Sequence, residues 1–209
     1  MSRFAAKTAA ATMGALIGGT VLYVTVFGPK DADDCRGSQV AGNLGGPFTL
    51  VDQTGKSVTD KDVLAKPALI YFGYTFCPDV CPVDNARNAE AVDALAELGY
   101  DVTPVFITID PTRDTTAVMA DYAANMHPKM IALTGTPEQV DVASKAFRTY
   151  YKKQEGEDDL YLMDHTTFTY LTLPGSGFAD VFEREVTPAQ MAGRVACFLA
   201  SGPAALPAI

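Results

Sequence analysis

Two cysteines four residues apart, Cys77 and Cys81, are the residues of this sequence best suited to chemistry. They lie in the segment 71–82, YFGYTFCPDVCP, between an apolar run typical of a buried strand and a stretch with helical spacing. A helix N-terminus favours thiolate over thiol, and side chains at i and i+4 of a helix point the same way. The pair is therefore suited to thiol–disulfide exchange or to binding a soft metal ion, and the spacing alone leaves both open. Asp79 and the flanking prolines argue against two cysteines that simply pack in the core.

His165 offers a third donor atom, in LMDHTT at 162–167, just before a predicted strand. A lone histidine is by default a hydrogen-bonded structural residue, but together with a dithiol it becomes a candidate metal ligand. Two thiolates and one imidazole suit copper, and Cu(I) in particular prefers sulfur. Zinc usually takes four ligands, and no fourth is visible in the sequence. The other histidine, His127, is expected to be a surface residue at a helix end.

Hydrophobic patterning predicts the elements that must position these residues. Continuous apolar runs at 68–72 and 102–109 predict strands that are buried on both faces. The other predicted elements are a hairpin (48–51 with 57–58), helices at 83–98, 115–126 and 137–150, a short strand at 129–133, a second hairpin (167–173 with 178–182) and a last helix that starts at Thr187-Pro188. Strands that alternate with helices and end in a hairpin and a helix predict a three-layer α/β domain.

The segment 9–28 is uncharged and long enough, at about 1.5 Å per residue, to cross the hydrocarbon core of a bilayer. We interpret it as a retained transmembrane anchor. A cleaved signal peptide and a buried core helix are the alternatives, and the length of the run argues against both. Arg3 and Lys7 precede it, so the positive-inside rule places the N-terminus in the cytoplasm.

The predicted organisation is therefore a cytoplasmic N-terminus (1–8), a transmembrane anchor (9–28), a tether (29–46), a folded domain (47–200) and a C-terminal tail (201–209). The domain is expected beyond the membrane, in a bacterial periplasm or a mitochondrial intermembrane space. The start of the chain is too short for a mitochondrial transit peptide. This favours a single-pass protein of a bacterial inner membrane whose domain faces the periplasm.

Composition excludes several classes of protein. The 209-residue chain has 16 Lys and Arg against 25 Asp and Glu, a net charge of −9, which does not suit nucleic-acid binding. Its 48% hydrophobic content excludes a mostly disordered chain, and four cysteines are too few for a disulfide scaffold. The charged run at 152–159 predicts a solvated loop, with a partner-docking loop as the alternative.

Four ordered motifs carry a resemblance to a known family: FGYTFCPDVCP at 72–82, FITIDPTRDT at 106–115, ALTGTPEQV at 132–140 and YLMDHTTFTYL at 161–171. With them the chain resembles the Sco/SenC family, the copper proteins of cytochrome c oxidase assembly. The resemblance covers roughly residues 46–200 and implies a thioredoxin-like fold preceded by one N-terminal transmembrane helix.

The resemblance also implies that Cys77, Cys81 and His165 bind one copper ion, as Cu(I) or Cu(II). Asp79 and Asp164, acids that neighbour these ligands in sequence, are candidates for supporting or partner contacts, and surface or capping roles are the alternative. Thioredoxins carry a cis-proline in the loop that faces the dithiol, whereas the matching stretch here, 163–168, has His165 and no proline. An imidazole can bind a metal ion, and this favours metal binding over plain disulfide exchange.

By this resemblance the protein is a membrane-anchored metallochaperone that passes copper to the dinuclear site of cytochrome c oxidase subunit II, with another copper donor protein as a further partner. The alternative is a thiol–disulfide reductase that acts on the copper-ligand cysteines of that subunit, with Cys77 and Cys81 as its redox-active pair. Whether the protein is an enzyme stays open, with the metallochaperone preferred. A peroxidase of the peroxiredoxin type is a third hypothesis, and it needs an arginine, Arg87 or Arg113, beside an activated cysteine.

Two further cysteines, Cys35 and Cys197, lie outside the family pattern. Cys197 falls in the predicted last helix, where we expect a buried apolar thiol. A Cys35–Cys197 disulfide in an oxidising compartment is the alternative.

Overall fold

A computed structural model describes Cys35, residues 44–156 and residues 160–201 of the chain. The predicted cytoplasmic N-terminus and anchor, the tether before residue 44 apart from Cys35, and the tail from residue 202 onward lie outside this part. Within the described residues, no helix combines the length and the apolar character that crossing a membrane requires.

The predicted strands and helices occur in the predicted order, and the structure adds three short elements that were not predicted: a helix at Asp60–Val63 and strands at Tyr151–Lys153 and Met163–His165. The strands are β1 Thr49–Asp52, β2 Ser57–Thr59, β3 Ala68–Gly73, β4 Thr103–Thr108, β5 Ile131–Thr134, β6 Tyr151–Lys153, β7 Met163–His165, β8 Thr169–Leu173 and β9 Gly177–Phe182. The helices are α1 Asp60–Val63, α2 Val80–Glu97, α3 Thr116–Met126, α4 Pro137–Ala146 and α5 Pro188–Ser201. Both predicted hairpins are confirmed, as the antiparallel pairs β1–β2 and β8–β9.

Seven strands form one mixed sheet in the order β2-β1-β5-β4-β3-β8-β9. Strand β3 lies inside it, parallel to β4 and antiparallel to β8, and all six of its residues are buried. Leu69 packs in a cluster with α2 and α5, whereas Phe72 contacts Phe147 at the end of α4. Helices therefore cover β3 on both faces, as its unbroken apolar run predicts.

The structure corrects the prediction for residues 137–159. Helix α4 ends at Ala146 rather than at 150, because Arg148 has a left-handed backbone (φ 53°) that ends the helix. The chain then forms β6, which pairs with β7 in a two-stranded ribbon. Lys152 and Lys153 are therefore strand residues and not loop residues, while 157–159 lie outside the described part.

The expectation that His127 is a surface residue is wrong. It does lie at the C-terminus of α3, but only 7% of it is exposed. Its Nε2 lies 3.2 Å from an Asp93 carboxylate oxygen, and its Nδ1 accepts a hydrogen bond from the Lys129 amide. Because both ring nitrogens have partners, the side chain can be buried at little cost.

The last helix is joined by a disulfide to the N-terminal side of the domain. Cys35 and Cys197 are bonded, with Cα atoms 5.6 Å apart and 162 positions apart in sequence. The expectation that Cys197 is a free buried thiol is therefore wrong, and the alternative is correct. Cys35 is itself 5% exposed and belongs to the apolar cluster around α2 and α5.

Replacing Cys197 with serine is expected to lower the free energy of unfolding by about 2–5 kcal/mol, because a cross-link over so long a loop restricts the unfolded chain. Denaturant unfolding of the full-length protein measures this loss. Dithiothreitol should destabilise the wild type to a similar degree and leave the variant unchanged. Equal stability of the two proteins under oxidising conditions would contradict the expectation.

Candidate metal centre

The structure brings together three donor side chains from three places in the sequence. Cys77 lies in the loop after β3, Cys81 in the first turn of α2 and His165 at the end of β7. Their donor atoms all lie within 4.8 Å of one another, and Cys81 Sγ is 3.4 Å from His165 Nε2. We call these three residues the three-donor site.

The imidazole of His165 is oriented by its neighbours. Its Nδ1 lies 2.9 Å from the carbonyl oxygen of Thr166, which can only accept, so Nδ1 carries the proton. The Nε2 lone pair is then available on the side of the sulfurs. The rings of Tyr71 and Tyr74 meet the imidazole at nearly right angles, with centroids 6.1 and 6.0 Å away. The ring is thus held in place with its free nitrogen towards the two cysteines.

The two thiols are unequal. Cys77 Sγ accepts a hydrogen bond from the Cys81 amide at 3.3 Å, at the N-terminus of α2. The Cys81 thiol, aided by backbone N–H groups, lowers the pKa of Cys77 to about 3 against the opposing effect of burial. The same interaction with Cys77, together with burial, raises the pKa of Cys81. These opposite directions favour a thiolate on Cys77 and a proton on Cys81.

Gly73 allows Cys81 to lie against the sheet. A Cβ atom at this position would come within 2.9 Å of Cys81 Sγ and of ring atoms of Phe106 and Tyr71. Since these neighbours are fully buried, none of them has room to move. A glycine here is therefore a requirement of the site, which the sequence analysis did not identify.

Substituting Gly73 with alanine is expected to destabilise the protein by about 1–3 kcal/mol through overpacking. Gly193, in α5, is a matched control, because a Cβ there would meet nothing within 4 Å. Gly193→Ala should be neutral or stabilise by about 0.5–1 kcal/mol. Thermal unfolding of both variants tests the contrast, and equal melting temperatures would refute it.

The motif at 106–115 holds the loop that carries Cys77. Asp114 is fully buried and accepts hydrogen bonds from the Thr75 amide and hydroxyl and from the Thr108 hydroxyl. Arg113 lies over the ring of Phe76, 4.8 Å from its centroid. Thr75 and Phe76, the two residues before Cys77, are therefore held by the segment that follows β4.

Neither candidate arginine supports the peroxidase hypothesis. The Arg87 guanidinium donates to two backbone carbonyls and to the Thr169 hydroxyl. Arg113 bonds to Asp110 and to the carbonyl of Tyr161. Both groups thus bind structural partners.

The two candidate acids lie at the surface. Asp79 is the N-cap residue of α2, and its side chain makes no capping hydrogen bond. Its backbone amide helps to lower the pKa of Cys77. Asp164 lies opposite Lys152 in the ribbon and accepts a hydrogen bond from Gln154. For Asp164 these contacts favour a surface role, and for Asp79 they leave its side chain available to solvent.

Comparison with known proteins decides the family. A family model, SCO1/SenC, matches residues 36–200. Protein SenC of Rhodobacter capsulatus is 50% identical over 204 residues, which cover 95% of this chain and 91% of that protein. The chain belongs to the SCO1/SenC family.

Solved structures of the SCO1/SenC family share this thioredoxin-like α/β fold. Arabidopsis thaliana ScoI with copper bound is 40% identical, with a TM-score of 0.70, over 73% of this chain and 95% of that one. BsSco, described as a member of the Sco family of cytochrome c oxidase assembly proteins with a disulfide switch, is 26% identical. It matches with a TM-score of 0.64 over 81% of this chain and 99% of its own.

The donor set of this SCO1/SenC chain fits copper. Two sulfurs suit Cu(I), and the imidazole nitrogen with its oriented lone pair adds a donor that Cu(II) requires. Among the described residues the group comprises two cysteines and one histidine, one short of the four ligands of a structural zinc site. Copper relatives and donor chemistry thus agree.

Proposed function

We propose that this protein binds one copper ion at the three-donor site and delivers it to the dinuclear copper site of cytochrome c oxidase subunit II. The observation that carries the proposal is the convergence of two cysteine sulfurs and an oriented imidazole nitrogen within 4.8 Å. The copper-bound relative and the oxidase-assembly relative support it.

The unequal burial of the donors suggests how the cargo leaves. Cys81 is fully buried, whereas Cys77 is 8% exposed and His165 is half-buried. A thiolate of the receiving protein can therefore approach from the side of Cys77 and His165. Three protein donors leave room for it as an additional ligand, so copper can pass by ligand exchange without being released to water.

Transfer to purified subunit II tests this function. Full-length protein loaded with Cu(I) under anaerobic conditions is mixed with the reduced, metal-free domain of that subunit, and the absorption of the dinuclear site after oxidation is followed. We expect the site to form faster than with an equal amount of Cu(I) on a small-molecule chelator of matched affinity. Equal rates would show that the protein is not a delivery factor.

A thiol–disulfide reductase is the second candidate, and one observation favours it. Both Cys77 and Cys81 are unbonded thiols, and Cys77 has the low pKa of a nucleophile. The Cys77 thiolate would attack a disulfide of subunit II, and Cys81 would then displace the second partner sulfur. This leaves a Cys77–Cys81 disulfide and two reduced partner cysteines.

We further propose the organisation derived from the sequence: residues 1–8 in the cytoplasm, an anchor at 9–28, a tether at 29–46, the domain at 47–200 and a tail at 201–209. The domain then faces the periplasm from the inner membrane. The uncharged segment and the basic residues before it support this arrangement.

A C-terminal alkaline phosphatase fusion is expected to be active in a bacterial host, because that enzyme matures only outside the cytoplasm. Deleting 9–28 from the same fusion should abolish the activity and serves as the control. Activity of a cytoplasmic reporter at the same position, with an inactive phosphatase fusion, would reverse the proposed topology.

A further inference from the structure

A buried carboxylate lies one helical turn behind a proposed copper ligand. Asp84 follows Cys81 by three positions on α2 and is only 2% exposed. It accepts a hydrogen bond from the Tyr71 hydroxyl at 3.0 Å. The guanidinium groups of Arg184 and Arg87 lie 3.4 and 3.8 Å from its oxygens. A charged network with a buried carboxylate, whose Arg184 reaches the surface, thus lies one helical turn from Cys81.

Tyr71 connects this network to the donors. Its hydroxyl donates a hydrogen bond to Asp84. Its ring packs at right angles to the imidazole of His165. A change in the charge or position of Asp84 can therefore reach His165 through the Tyr71 side chain, and Cys81 through the helix that carries both residues.

Fold stability alone gives little reason for these buried charges. Replacing a buried ion pair with apolar side chains of similar volume is often neutral or stabilising. The negative charge of Asp84 does, however, change the relative energies of the Cu(I) and Cu(II) forms of a nearby metal site. Two thiolates, a neutral imidazole and Cu(I) sum to one negative charge, whereas with Cu(II) the sum is zero. A nearby carboxylate raises the energy of the first state more than that of the second.

We propose that Asp84 is a positioning residue that acts through Tyr71, and that its charge, balanced by Arg184, sets the relative affinity of the three-donor site for Cu(I) and Cu(II). This inference rests on the proposed copper binding. Removing the carboxylate charge favours Cu(I), and removing the guanidinium charge favours Cu(II). The two substitutions therefore have opposite signs, which a purely structural role would not produce.

The test measures Cu(I) and Cu(II) affinities of the full-length protein by competition with chelators. For a unit charge about one helical turn away at an effective dielectric constant of about 20, Asp84→Asn should raise the Cu(I)-to-Cu(II) affinity ratio about tenfold or more. Arg184→Gln should lower it about threefold, because that side chain is 41% exposed and better screened. The visible absorption of the Cu(II) form should shift in Asp84→Asn as the Cys81 environment changes.

Asp180 provides a matched control. It is equally buried, at 2% exposure, and pairs with Arg194 on α5. Asp180→Asn should cost stability but leave the affinity ratio unchanged. A ratio that moves equally in Asp84→Asn and Asp180→Asn overturns the inference.

The outcomes separate the inference from the function on which it rests. If the wild type binds neither ion, the proposed copper function fails. If the wild type binds copper and Arg184→Gln leaves the ratio unchanged, Asp84 and its partners do not tune the site, even where Asp84→Asn fails to fold.

Discussion

Replacing His165 with alanine is expected to lower Cu(II) affinity by at least about 100-fold while the Cys77–Cys81 pair still cycles between dithiol and disulfide. Cu(II) prefers nitrogen donors and a higher coordination number, so two thiolates hold it poorly. Cu(I) binding should weaken less, because the two sulfurs remain. The redox pair depends chiefly on the Cys81 hydrogen bond and the helix N-terminus, which His165 does not supply. Anaerobic titration with each ion and thiol counting after mild oxidation give the three measurements.

The other histidine of the chain is the matched control for this experiment. His127 is buried at the end of α3 and pairs with Asp93. His127→Ala should lose stability and retain copper binding. In cells that lack the native protein, His165→Ala should fail to support oxidase assembly. If it supports assembly as well as the wild type while Cys77→Ser does not, the reductase replaces the metallochaperone as the leading function.

The three donors could be selected from sequence because each has a local signal. The spacing of Cys77 and Cys81 places them in a strand–helix loop, and the chemistry of a dithiol points to a soft metal ion. His165 becomes a candidate because an imidazole in addition to a dithiol suits copper, and the resemblance supports that choice. The structure brings these residues together, and their role as copper ligands remains a prediction.

The surroundings of the site could not be found in this way, because they depend on which residues meet across the fold. Gly73 has no turn or positive φ to identify it, and its role follows from three buried neighbours that arrive from different elements. The sequence pattern predicts only that Asp84 lies on a helix, and it is the packing of α2 against β3 that brings Asp84 to Tyr71. Similarly, the sequence around Cys197 does not indicate its disulfide, because its partner Cys35 lies 162 positions away.

Binding of Cu(I) at neutral pH is expected to release about one proton, not the two that a pair of ordinary thiols would release. Metal ions bind thiolates, so every thiol that is protonated beforehand must lose its proton. The pKa of Cys77 is lowered to about 3, and that thiol is already ionised. The pKa of Cys81 is raised, and its proton is the one displaced. Calorimetry in buffers of different ionisation enthalpy counts the protons directly.

The difference between the pKa values of Cys77 and Cys81 also sets how the Cu(I) affinity depends on pH. With one proton displaced, Cu(I) affinity should rise about tenfold per pH unit between about pH 7 and pH 8.5. Two displaced protons would give a slope of about 100-fold per unit and would show that Cys77 is not a thiolate beforehand.

Cys81→Ala removes the hydrogen bond that lowers the Cys77 pKa most, so the ultraviolet absorption of the thiolate should then titrate nearer to that of an ordinary cysteine. His165→Ala should shift this titration less, because the Cys81 thiol remains beside Cys77 as its main hydrogen-bond donor.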